Sequence, residues 1–305
     1  MMSGNKCIRG GIVYHPLFKK ETGTAMIFLI PAIVIIGVFN IFPAFYSFIL
    51  TFFDWNGFSP TKTFVGLRNF QTLFTSHEVL NSIVVTLIYS VAVTFGSMIM
   101  SLLIAVNLDR DIKGKVIYRV LYFLPVVTPT VASGIVWKYL FDPTNGVVNS
   151  LLATFSISGP SWLSDPKWAL LSVSIVGIWK RMGFGMIIYL AALQGIPKSL
   201  YEAARIDGAS EGILLRYIKI PLLLPTSLFL AITGLIESFQ VFDLVYVMTY
   251  GGPINATDVM GFLLYRYGFK YFNLGYASSI AVAMFGILFV LSMIQWRFTK
   301  GGEVY

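Results

Sequence analysis

Apolar residues run along this chain in six long blocks, and polar residues gather in the short segments between them. An α-helix rises about 1.5 Å per residue, so about 20 apolar residues cross a hydrocarbon core roughly 30 Å thick. Six stretches reach that length: 24–52, 80–107, 118–141, 168–194, 218–246 and 274–296. The pattern predicts an all-α polytopic membrane protein with a transmembrane domain over 24–296. A polar segment, 1–23, precedes it and a tail, 297–305, follows. The first block carries no charge from Thr22 to Phe53. It is too long for the apolar part of a signal peptide and has no A-x-A-like cleavage site, so it reads as a retained helix.

Composition agrees. Of 305 residues 56% are hydrophobic and 12% charged, against about 25% charged in globular proteins. Charge that scarce cannot clothe a soluble surface of this size. The net charge of +8 would suggest nucleic acid as the partner of a soluble protein; here it reports topology, and nucleic acid is not an expected partner. With the N-terminus inside, the cytoplasmic segments carry fourteen Lys and Arg and the outer segments five, so both termini are expected in the cytoplasm. The single cysteine, Cys7, excludes an internal disulfide and a cysteine-based metal cluster. His15 and His77 lie outside the apolar blocks, which excludes a histidine proton relay or a helix-borne HExxH site. The chain contains neither a GxxxxGK[ST] loop nor a GxGxxG turn, and no segment outside the spans is long enough for a nucleotide-binding domain. Energy for transport would come from another polypeptide or an ion gradient.

One polar segment stands apart: YEAARIDGASEGILLRYIKIPLLLP, residues 201–225, on the expected cytoplasmic side within a loop of about 195–220. Ser199-Leu200-Tyr201-Glu202 fits the S-x-x-E capping box, with Ser199 as N-cap and Glu202 reaching back. Gly208 suits the left-handed end of a short helix, and Ser210 is placed to cap a second one running toward Pro221. The product is a helix–turn–helix elbow standing off the membrane. Ala203, Ala204, Gly208 and Ala209 admit close approach of another surface, and Glu202, Arg205 and Asp207 can set its register by charge. A plain amphipathic linker lying in the interface is the alternative.

Within the spans, polar groups are costly and face a cavity or a partner. Glu237, Gln240 and Asp243, spaced by three, fall on one helix face, with Phe239 and Phe242 between them. Acidic and amide groups beside aromatic rings suit a sugar, though a gate network or contacts to a second subunit fit the same set. Lys180 and Arg181 sit in the middle of the fourth span, with Glu237 or Asp243 as available partners; Lys180 joins the candidate substrate pathway. Trp137 and Trp179 read as packing or interfacial aromatics. Pro125 and Pro129 should break or kink the third span, at a gate or as a structural bend. Tyr250-Gly251-Gly252-Pro253 forms a turn where the fifth span ends on the outer face.

The spacing Glu202-Ala203-Ala204, Gly208, Ile218 and Pro221 resembles the EAA signature of membrane subunits of binding-protein-dependent ABC importers, with Ile220 where that family usually has Leu. LAALQGIPKSLYEAARIDGAS resembles the sugar-importing branch, and GLRNFQTLF (66–74), YRVLYFLPVVTPTVASGIVWKYLF (118–141), DPTNGVVNSLL (142–152) and FDLVYVMTYGGP (242–253) extend the likeness across nearly the whole chain, toward the maltose-type or glycerol-phosphate-type A subunit. The resemblance implies a type I importer permease in a bacterial or archaeal cell membrane. Its partners would be a second permease subunit, two ATPase subunits and an extracellular or periplasmic solute-binding protein, in a lipid bilayer. Glu202, Ala203, Ala204, Asp207 and Gly208 would dock into the ATPase. This chain would hold no cofactor, ATP and Mg residing on the ATPase. The substrate would be a sugar or oligosaccharide, or alternatively glycerol phosphate or another polyol. A secondary transporter working alone is the competing class; against it, the sequence shows no convincing internal repeat and carries its intramembrane acids on one span. A membrane enzyme is the third class, and no nucleophile–base pair or metal-ligand spacing supports it.

Overall fold

The computed structural model describes residues 18–300; Cys7, His15, most of the expected N-terminal segment and the last five residues lie outside that range. The chain divides into two compact units, Met1–Ile49 and Leu50–Tyr305. In the first, α1 (Phe18–Ile36) continues through a π-helical turn, Gly37–Ile41, toward α2 (Phe42–Leu50). Within this unit Phe28, Ile33, Phe39, Phe42 and Phe45 all stand exposed, so the helix presents an apolar surface on every side, as a helix set in lipid does.

The second unit opens with a two-stranded antiparallel ribbon, β1 (Phe53–Asp54) and β2 (Thr63–Phe64), in which Phe53 pairs with Phe64. Then follow α3 (Arg68–Thr75), α4 (His77–Asp109), α5 (Lys115–Val127), α6 (Thr130–Leu140), α7 (Val147–Thr154) and α8 (Pro166–Gln194). The chain continues through α9 (Lys198–Ile206), α10 (Glu211–Leu214), a π-helical stretch Leu215–Lys219, α11 (Ile220–Leu222), α12 (Leu224–Phe239), α13 (Asp243–Met248), α14 (Met260–Tyr265), a second π-helical stretch Arg266–Lys270, and α15 (Leu274–Lys300). The long helices have clear starts. Ser76 accepts from the Val79 amide ahead of α4, and Asp165 accepts from the Lys167 amide ahead of α8, where Pro166 takes the first position.

Among the described residues four helical segments are long and apolar enough to cross a membrane: Thr24–Leu50, His77–Asp109, Pro166–Gln194 and Leu274–Ile294. Two bent pairs bring the number to six if each counts as one span: α5 with α6, bent by 101°, and Glu211–Leu222 with α12, bent by 63°. The first bend has a local cause. Pro129 has no amide proton for the Pro125 carbonyl, which a straight helix would require four residues back, and its ring drives Thr128 to an extended ψ of 140°.

The core is built on α4 against α8. Ser82, Thr86, Ser90, Thr94, Ser97 and Ser101 are buried along one side of α4 at helical spacing. Such small residues let helices approach closely where no hydrophobic effect drives them together. Gly183 serves the same end for α8: a Cβ there would run into the backbone of Tyr122 and Phe123 on α5. Three apolar clusters cover the length of the bundle. One holds Tyr89, Val93, Val173, Val176 and Val245; another Leu108, Met186, Tyr189, Leu193 and Leu230; the third Leu73, Val79, Phe239, Met260 and Ile280.

The fifth apolar block departs from expectation. A continuous span over 218–246 was predicted, but α12 stops at Phe239. Gln240 and Phe242 leave the helical region, Phe242 with φ −140° and ψ −54°, and a separate helix, α13, starts at Asp243. The apolar count carries no mark of this break, because Gln240 and Asp243 are isolated polar positions in an otherwise apolar block.

Candidate functional site

The elbow begins at Pro197, whose ψ of 130° is extended, so the first helical residue is Lys198. The expected capping box is therefore corrected: Ser199 lies inside the helix and no side chain caps α9. Proline fixes its own φ at a helix-compatible value and starts the helix before the serine is reached. Ser210 does hold the N-cap position of α10, with extended backbone, yet its side chain makes no capping bond.

The C-terminal end of α9 follows the sequence closely. Gly208 has φ +80°, the Ala209 amide donates to the Ala204 carbonyl at 2.9 Å and the Gly208 amide to the Arg205 carbonyl at 3.1 Å. These two bonds make a Schellman motif, which satisfies carbonyls a helix end would otherwise leave bare. Arg205 and Glu211 face each other across the turn at 2.9 Å. Glu202, Ala203, Asp207 and Gly208 are exposed, Ala204 is half-buried, and Ile206 is 86% exposed. Apolar surface and unburied charge sit together on a rigid two-helix projection.

A second feature lies along the bundle, where α12 ends. A cavity of about 420 Å³ is lined by residues that include Tyr89, Thr130, Lys180, Arg181, Glu237, Gln240, Phe242 and Asp243. Glu237, Gln240 and Asp243 thus meet on one cavity, although they do not share one helix. Phe242 lies on the same wall, but Phe239 does not. It is fully buried in the cluster of Leu73, Met260 and Ile280, because the turn after α12 sends the two phenylalanines to different sides.

The two cations of α8 have separate duties. Lys180 Nζ donates to the carbonyls of Thr128 (2.7 Å) and Pro125 (3.2 Å), at the break between α5 and α6. Arg181 pairs with Glu237 and reaches the Thr233 hydroxyl at 3.3 Å. Its own side chain is 12% exposed while that of Glu237 is 63% exposed, so the carboxylate faces the open cavity. From Phe242 a train of rings continues along the chain: Tyr246 at 5.3 Å, then Tyr250 a further 5.4 Å on, with Tyr265 5.1 Å from Phe242.

One network has no counterpart among the expected residues. Arg266 binds both Glu78 and Asp258, the latter at 2.6 Å, and the Tyr267 hydroxyl donates to Glu78 at 2.7 Å. Asp258 is fully buried, and burial, opposed by the nearby guanidinium, pushes its pKa up to about 6. Its members are scattered over nearly 190 positions of sequence, so spacing cannot expose it. Among the described residues no group of three His, Cys, Asp or Glu side chains is placed to hold a metal ion.

Residues 97–300 match the family described as binding-protein-dependent transport system inner membrane component. The chain belongs to that family. The match takes in the elbow and most of the cavity wall. Among similar proteins are the trehalose/maltose transport system permease protein MalF of Thermococcus litoralis, 33% identical over 90% of this chain and 92% of its own, and the multiple sugar-binding transport system permease protein MsmF of Streptococcus mutans, 32% identical over 91% and 95%. The sn-glycerol-3-phosphate transport system permease protein UgpA of Agrobacterium fabrum is 33% identical over 89% of this chain and 93% of its own. The crystal structure of a bacterial ABC transporter that imports the acidic polysaccharide alginate contains a chain of the same fold, with TM-score 0.81 and 23% identity over 95% of this permease and all of that chain.

Proposed function

We propose that this permease forms part of the pathway of an ATP-driven importer that takes a sugar or oligosaccharide from an extracellular or periplasmic binding protein. Six spans would cross the membrane, the two bent pairs included, with both termini in the cytoplasm. A second permease subunit would close the pathway, and two ATPase subunits carrying ATP and Mg would dock on the elbow through Glu202, Ala203, Ala204, Asp207 and Gly208. The observation that carries this reading is the elbow itself: Glu202, Ala203, Asp207 and Gly208 stand exposed, with Ala204 half-buried beside them, on a Schellman-terminated helix with no buried residue of its own. The related sugar and glycerol-phosphate permeases support the assignment of class.

Electrostatics favours a neutral sugar over glycerol phosphate. Phosphate recognition uses unspent cationic donors, and both cations on the cavity wall are already engaged, Arg181 by Glu237 and Lys180 by backbone carbonyls. Carboxylates and amides take hydroxyls, and the Phe242 ring on the cavity wall can pack against C–H groups. Purification of the tagged permease from its host, followed by ATP-driven uptake into vesicles of radiolabelled maltose, trehalose and glycerol 3-phosphate, tests the reading. Co-isolation of an ATPase and uptake of a sugar support it; glycerol 3-phosphate uptake alone would shift the substrate class, and transport by the isolated chain would end it.

A further inference from the structure

The elbow is joined to the bundle by an ion pair between a buried lysine and a half-buried aspartate, at a position the EAA signature leaves open. Lys219 lies between Ile218 and Pro221 and ends the π-helical stretch Leu215–Lys219. Its side chain is 8% exposed, and its Nζ lies 3.5 Å from Oδ2 of Asp109, the last residue of α4. The same ammonium sits 5.5 Å from the ring centre of Tyr201, which belongs to α9. Tyr201 is half-buried, its hydroxyl enclosed without a hydrogen-bond partner among the described residues. One cation is therefore shared by α9, by the end of α4, and by the segment that leads into α12.

Lysine is rarely buried without a partner, and a partly buried ion pair is screened much less than an exposed one. Breaking such a pair leaves an uncompensated charge. The flanking backbone departs from a regular α-helix: single π-helical turns are frequent at functional sites, and a 63° bend follows within a few residues. The rigid member of the joint is α4. It runs on to Val93 and Tyr89 on the cavity wall, about 24 Å from Asp109 to Val93 at helical rise.

We propose that Asp109, Lys219 and Tyr201 form a positioning joint through which displacement of the elbow is passed to α4, and so to the cavity, in parallel with the covalent paths through α8 and α12. The proposal rests on the elbow being the docking site of the ATPase. It gives α4, which contributes nothing to the signature, a part in coupling.

The test uses the complex co-isolated with its ATPase and set in vesicles, with Cys7→Ser and Val93→Cys as the background and N-ethylmaleimide as the probe. ATP is expected to change the labelling rate of the cysteine by about tenfold, the scale of ordinary coupling free energies. In Lys219→Met, ATP hydrolysis continues while the labelling rate stops responding to ATP; Lys219→Arg restores the response. A full response in Lys219→Met overturns the joint. Should that variant fail to accumulate, Asp109→Asn reads the same response, with loss supporting the joint and retention overturning it. Glu202→Ala separates the two ideas. If it releases the ATPase while Lys219→Met still responds, the joint alone is wrong; if it keeps both the ATPase and the response, the docking reading falls and the joint with it.

Discussion

Lys180 donates to the carbonyl oxygen of Thr128 at 2.7 Å, at the point where Pro129 interrupts the helix. A charge in the middle of a span is explained here by backbone: the break exposes carbonyls, and the ammonium covers them at a depth where water is scarce. Hydrogen bonds to charged groups contribute about 1.5–3 kcal/mol. Lys180→Met should therefore lower the unfolding temperature of the purified permease in detergent, with little change in the apparent affinity of uptake. An affinity change with unaltered stability would instead make Lys180 a substrate contact.

Arg181 is the buried member of its pair and Glu237 the exposed one. Removing the carboxylate leaves a guanidinium unpaired at low exposure, which is the costly direction. Glu237→Ala is expected to cut uptake by about tenfold or more, and Glu237→Asp to recover part of it. Vesicle uptake rates decide. Wild-type transport in Glu237→Ala would remove the cavity from the pathway.

Gly208 needs its φ of +80°, while the space around it is open. A side chain there is strained by backbone geometry alone, at about 1–2 kcal/mol. Gly208→Leu should leave the subunit inserted yet separate ATP hydrolysis from uptake, read as the ratio of phosphate released to sugar imported. An unchanged ratio counts against the elbow as the coupling element.

Asp258 gives a pH prediction with a definite sign. Its pKa is pushed up to about 6 in the fold and is about 3.9 in an unfolded chain. Below about pH 4 the group is protonated in both states and burial adds no charge penalty. Between about 4 and 6 the unfolded chain gives up its proton first, so local stability falls as pH rises; above about 6 the full penalty is present. Amide hydrogen exchange over 250–270 should accelerate across that interval beyond its intrinsic pH dependence. Asp258→Asn should flatten the excess, and the same excess in that variant would refute the assignment.

Much of this was legible in the chain because its causes are local. Apolar length located four helices long enough to cross a membrane and two bent pairs, Pro129 marked the break between α5 and α6, and Gly208 announced the end of α9. Legibility failed where a fold decides which side a residue takes. The turn after Phe239 sends Phe239 into the core and Phe242 to the cavity, and hydrophobicity is blind to the difference. It failed again at long range: Arg181 had two acids available and the fold selects Glu237, while Arg266 looked like one more loop cation until Glu78 and Asp258 closed around it. The capping box at Ser199 was a correct pattern overruled by the proline two residues before it.

The central claim, that an ATPase grips this permease at the elbow, is tested most directly by site-specific cross-linking. In a Cys7→Ser background, Ala203→Cys on the exposed face of α9 should join covalently to the co-isolated ATPase subunit when a short bifunctional maleimide is added, and ATP should change the yield. Thr61→Cys, in the loop between β1 and β2, should give no such adduct. An ATPase adduct from Thr61→Cys with none from Ala203→Cys would contradict the account.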